Sequence, residues 1–127
     1  FQLPPSFRKV LAVFDKFLQT LPPAVRVAFE FRHASWHDPE VFDRLTAGGL
    51  ALCVADSGRM TTPVEITGRH AYFRLRDEGY GEPDLIRWAD TILEVTERCE
   101  DVFIYFKHEE EGKGPVFAKS LVSVLTE

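Results

Sequence analysis

Cysteine and methionine are nearly absent from this 127-residue chain, which has two of the first, Cys53 and Cys99, and one of the second, Met60. The two cysteines make neither a paired metal-binding spacing nor a dense disulfide framework, and they fit a reducing cytoplasm. Positive charge is also short: 15 Lys and Arg against 20 Asp and Glu leave a net charge of -5. No global basic field therefore draws in nucleic acid or anionic lipid, and any anion site must be local. No apolar run approaches the roughly 20 residues of a membrane span. No charged start, apolar centre and small-residue cleavage site marks a secretory signal. A soluble chain with no membrane partner is expected. Also missing are a glycine-rich turn of the dinucleotide type, a phosphate loop and a serine in a nucleophile elbow, which disfavours a nucleotide-binding open sheet and a serine hydrolase.

Apolar and aromatic residues are plentiful. At 45% hydrophobic and 13% aromatic, the chain has ample material for a packed core, and its length suits one domain, residues 1–127. It opens on Phe1 in the apolar FQLPPSF, with no leading Met, as if cut within a folded element. A fragment of a longer protein is expected.

Strand-like and helix-like segments alternate. FQL reads as the tail of a strand stopped by Pro4 and Pro5, after which Ser6 is expected to cap a helix carrying Phe7, Val10, Leu11, Phe14, Phe17, Leu18 and Leu21 at helical spacing. VRVAFEF is strand-like; HDPEVFDRL starts a helix with Asp38 as cap and Pro39 in its first position, closed by Gly48 and Gly49. LALCVA is a short apolar strand that runs into Asp56, and the polar segment RMTTPVEITG shows no helical period. HAYFRLR is again a strand, Glu82 to Arg98 a long amphipathic helix, DVFIYF the last strand and GPVFAKSLVSVL the last helix. The fold class is α/β: parallel (β/α) units with helices covering the sheet, in a barrel or an open doubly wound arrangement.

In either arrangement the chemistry sits at the carboxyl ends of the strands. Period-two parity puts Ala28, Glu30 and Arg32 on one face and Phe29 and Phe31 on the other. The same parity sets Tyr72, Arg74 and Arg76 against Phe73 and Leu75, and Tyr105 and Lys107 against Ile104 and Phe106. Two readings of this polar set stand side by side. Glu30 with Arg32 or Arg74 forms an internal ion-pair network, or the arginines hold an anionic ligand, with Glu30 as general acid or base. Trp36 and Tyr80 offer ring faces for stacking, although Trp36 equally suits a core. Glu30, His33, Asp56 and His108 have donor types suited to a divalent metal, but no local metal spacing, so no metal is assigned. His37 and His70 read as loop residues, and Glu109 to Glu111 as a solvated loop.

FQLPPSF, EFRHASW, the Asp after LALCVA, AYFRLR followed by Gly79 and Tyr80, and VFIYFKHEEEG together resemble the YecE-like family, domain of unknown function 72, over essentially the whole chain. The resemblance implies a TIM-type (β/α)8 barrel, of which this chain supplies the end of strand four through helix eight, with the first three strands absent. It maps site positions onto Gln2, Glu30, Arg32, His33, Trp36, Asp56, Arg74 and Tyr80. Where many members have an Asn pair after the last strand, this chain has Lys107 and His108, which favours a more anionic ligand. It names no reaction and no cofactor. The leading expectation is a small anionic or sugar-phosphate-like ligand, anchored by Arg32 and Arg74 with Gln2, Lys107 and His108, and Glu30, Asp56 and His33 as candidate catalytic groups for isomerisation or hydrolysis. The alternative is a non-catalytic nucleotide- or nucleic-acid-binding module, which the negative net charge disfavours. Strands four to eight alone leave unpaired edges, so the isolated chain is expected to self-associate.

Overall fold

Strand and helix alternate along the chain as the apolar pattern predicts, in a computed structural model that describes residues 1–108 and 112–127. The loop expected at Glu109 to Glu111 lies outside the described residues. Four helices, α1 (Leu11–Leu18), α2 (Pro39–Gly48), α3 (Glu82–Thr96) and α4 (Lys113–Leu125), accompany four strands, β1 (Ala28–Phe29), β2 (Ala51–Asp56), β3 (His70–Leu75) and β4 (Asp101–Phe106). The strands form one parallel sheet in the order β1-β2-β3-β4, with Cys53 opposite Tyr72 and Arg74 opposite Tyr105. FQL does run beside β1: Gln2 makes a parallel bridge with Glu30, whose N–H donates to the Phe1 carbonyl at 2.8 Å.

Two apolar clusters cover one face of this sheet. Phe29, Phe31 and Leu52 meet Phe14 of α1 and Val41 and Leu45 of α2. Val54, Phe73 and Leu75 meet Leu85, Ala89, Ile92 and Val95 of α3 and Leu121 of α4. The parity that turns the phenylalanines of β1 toward helices necessarily turns Ala28 and Glu30 the other way.

The start of α2 follows its sequence: Asp38 accepts the Glu40 N–H at 2.8 Å, Pro39 occupies the first turn, and Gly49 closes the helix in the left-handed region at φ 65°. The start of α1 does not. No helix begins at Ser6; α1 begins at Leu11 behind Val10, which gives no side-chain cap. Residues 4–7 close a turn instead, with the Phe7 N–H on the Pro4 carbonyl, and the Lys9 N–H donates to Ser35 Oγ. Tertiary partners took the donors that a longer helix would have used. The expected strand VRVAFEF is likewise cut to two residues. The Ala51 N–H donates a ladder bond to the Val27 carbonyl, but the Ala55 N–H, four residues on and facing the same edge of β2, donates to Thr62 Oγ1 instead. The segment after β2 has folded back into the place where β1 would continue, and β1 and β2 part like a fork toward their carboxyl ends.

Candidate functional site

The face of the sheet turned away from the helices is a groove of about 630 Å³, lined by Ala28, Glu30, Cys53, Tyr72, Arg74 and Tyr105 among others. At its base the Glu30 carboxylate, 3% exposed, receives the Arg74 guanidinium on both oxygens at 2.8 and 3.0 Å. Gln2 Nε2 adds a further hydrogen bond at 2.6 Å. Period two along β1 and β3 and the parallel register bring this pair together across 44 residues of sequence. Burial, with the Glu30 charge beside it, pushes the Cys53 thiol up to about 12, which disfavours the thiolate that a nucleophile needs. This is the internal ion-pair network, and it leaves Arg74 engaged.

A second cavity, of about 120 Å³, opens where β1 and β2 part. Pro5, Phe31, Ala55 and Met60 give it apolar walls; Arg32 follows β1, Ser57 follows β2 and Arg76 follows β3. Among the described residues no hydrogen bond or ion pair reaches the side chain of Arg32 or Arg76, and the buried Nε of Arg76 is without a partner. Glu30 lines both cavities, but Arg74 and Gln2 hold its oxygens. Two uncompensated guanidiniums in one small cleft make a donor set for an anion.

The 57–62 segment that shapes the cleft is itself well held. Asp56 Oδ1 accepts from the Gly58 N–H and the Thr61 hydroxyl, both at 3.1 Å, and Oδ2 accepts from Tyr80 at 2.9 Å. Gly58 sits at φ 80°, a conformation that favours glycine, and a Cβ there would also have to displace the Asp77 carboxylate, 2.9 Å away at Oδ2. Burial and the Asp56 carboxylate push the Tyr80 phenol above its ordinary value, which keeps it a hydrogen-bond donor.

The remaining expected site residues disperse. Trp36 is 1% exposed, stacked on Phe31 at 4.8 Å, with Nε1 donating to the Phe7 carbonyl. It is core, and no ring face remains for a ligand. Tyr80 is also buried, edge-on to Phe106 and Phe117. His33 Nδ1 accepts the Ser35 N–H and so caps the 3₁₀ turn Ala34–Trp36. His108 donates Nε2–H to the Asp77 carbonyl at 2.7 Å and packs on Phe117. Lys107 follows β4, its N–H on the Leu75 carbonyl. Among the described residues no three His, Cys, Asp or Glu side chains gather as metal ligands. His70, read both as a loop residue and as the start of the strand HAYFRLR, is the buried first residue of β3 and lines the groove, with Nε2–H on the Val27 carbonyl at 3.1 Å. Arg76 was absent from the expected site although it shares the parity of Arg74, which was the signal for it.

Among curated proteins none matches the chain. A DUF72 family protein of Thermotoga maritima (TM1631) superposes with a TM-score of 0.83 at 24% identity over 99% of this chain and 56% of its own. Two crystal structures of a DUF72 family protein of Enterococcus faecalis (EF0366) also give 0.83, at 16% and 17% identity, over 99% of this chain and 57% and 59% of theirs. The chain thus spans less than two thirds of these proteins, and at such identities the likeness is one of fold. No helix is long and apolar enough to cross a membrane among the described residues. The model of the family described as "Protein of unknown function DUF72" matches residues 1–127, and the chain belongs to that family.

Proposed function

We propose that the protein binds a small anionic ligand at the carboxyl ends of its parallel strands. One observation carries this reading: Arg32 and Arg76 line a common cavity and neither guanidinium is compensated among the described residues. Charges set in a partly enclosed cleft without partners cost stability that a bound anion would recover. Arg74, the anchor expected from the sequence, keeps Glu30 in place instead. Of the three candidate catalytic groups Glu30 lines both the groove and the cleft, so proton transfer in an isomerisation or hydrolysis falls to it; Asp56 and His33 hold the loops.

A thermal-shift panel of phosphate, sugar phosphates, dicarboxylates, nucleotides and short oligonucleotides tests this. A ligand at a hundred times its dissociation constant stabilises by about 2.7 kcal/mol, a rise of several degrees. The rise is expected to vanish in Arg32→Ala/Arg76→Ala and to persist in Arg59→Ala, which alters an arginine outside both cavities. A panel without a shift would contradict the reading. A shift with oligonucleotides alone, falling steeply with added salt, would favour the nucleic-acid module.

The same reading includes an architecture: the chain as the carboxyl portion, from the end of strand four through helix eight, of a TIM-type (β/α)8 barrel whose lumen is the groove. The helix-free face of the sheet and the 56–59% coverage of the solved relatives support it. Taken by itself, the 127-residue chain is then expected to sediment as dimers or larger species, because the outer edge of β4 has no neighbouring strand among the described residues and the groove face stays uncovered. A monodisperse monomer with one sharp melt would count against it.

A further inference from the structure

The two arginines reach the cleft from strands that are not neighbours. Arg32 leaves β1 and Arg76 leaves β3, with β2 and Ser57 between them. Arginines from two separate strand ends therefore line one small space, an arrangement suited to an anion with oxygens pointing in several directions.

Charge balance narrows the anion. Two arginines line the cleft, and the carboxylate that lines it with them, Glu30, is spent on Arg74 and Gln2; beside it, Asp56 is held by Tyr80, Thr61 and the Gly58 N–H. A carboxylate ligand is planar and singly charged, so it satisfies one fork and leaves the other. A phosphodiester is also singly charged. A phosphate monoester at neutral pH carries a charge of about -1.5 to -2 and three strong acceptor oxygens, enough for both forks.

Size and wall chemistry agree. At about 120 Å³ the cleft is well below the roughly 300–1,000 Å³ of sites that enclose a drug-sized molecule. It suits one ionic group of a ligand and leaves the rest of the molecule outside. The Ser57 hydroxyl on the cavity wall is already fixed, donating to the Met60 carbonyl and accepting the Met60 N–H, both at 3.3 Å. The Arg76 Nε is buried and has no hydrogen-bond partner among the described residues.

We infer that the cleft between Arg32 and Arg76 is a subsite for the terminal phosphate of a phosphate monoester. This rests on the anion-binding reading above and narrows it to one chemical class.

Isothermal titration of the protein with methyl phosphate, dimethyl phosphate and acetate at neutral pH tests it, on the parent sequence and on Arg32→Ala, Arg76→Ala and Arg76→Lys. Methyl phosphate is expected to bind at least tenfold tighter than the other two, and each alanine variant to lose at least tenfold of that affinity while its circular dichroism is unchanged. Arg76→Lys keeps the charge, loses the fork, and is expected to bind severalfold more weakly. It decides the matter should Arg76→Ala fail to fold: an unaltered affinity in it overturns the subsite. Equal binding of the three anions overturns the monoester assignment and leaves anion binding standing. Binding indifferent to both arginines overturns the location. Absence of binding by all three anions, together with no shift across the wider panel, removes both readings.

Discussion

Arg74→Met is expected to destabilise the protein by about 3–5 kcal/mol, because it strands a buried carboxylate. Glu30 is 3% exposed and would keep only Gln2 as a strong donor. Replacing both members, Glu30→Met with Arg74→Met, is expected to restore most of the loss, since two apolar side chains of similar volume need no partners in the groove floor. Urea denaturation at one fixed protein concentration, analysed as a double-mutant cycle, measures the coupling. If Arg74→Met costs less than about 1 kcal/mol, water reaches the pair and it is worth no more than a surface salt bridge. If the double variant is as unstable as the two single losses added together, the pair does not act as a unit.

Trp36→Ala is expected to cost about 3–5 kcal/mol, as truncations of a buried large aromatic do. The ring is stacked on Phe31, meets Phe14 edge-on at 5.3 Å, and ties the turn before α1 through its bond to the Phe7 carbonyl. Trp36→Phe is expected to cost much less, near the roughly 1 kcal/mol net value of a hydrogen bond. Neither variant should alter the affinity for an oxyanion once the protein is folded. A Trp36→Ala protein of parental stability that no longer binds would show that the ring serves a ligand and not the core.

The order of elements was legible because their residues are locally consistent. Asp38-Pro39 can begin a helix and Gly49 can end one, and the continuous apolar run of β2 is that of a parallel strand covered by helices on one face. The face assignment was legible for the same reason: parity alone separates Glu30 and Arg74 from Phe31 and Phe73. The point where β1 and β2 part was not. It depends on Thr62, whose N–H and hydroxyl both bond Ala55, displacing a strand seven residues of sequence could not foretell. That same event decides which arginine is which. Arg74 lies one ladder step inside and finds Glu30; Arg76 lies beyond the end of β3 and finds no partner among the described residues. Sequence spacing could not tell a paired arginine from an unpaired one two positions away, and so it selected Arg74 as the anchor. Trp36 and Tyr80 illustrate the same limit, since an aromatic after a strand end is equally suited to a ligand and to the core beneath the loop.

The central claim is that an anion sits between Arg32 and Arg76, and anomalous diffraction from a crystal soaked in tungstate locates such an ion directly. A peak within hydrogen-bond distance of both guanidiniums, absent from Arg76→Ala crystals of the same form, is the expected result. A peak against Arg74 in the groove instead, with the cleft empty, would contradict the claim and return Arg74 to the role its sequence position first suggested.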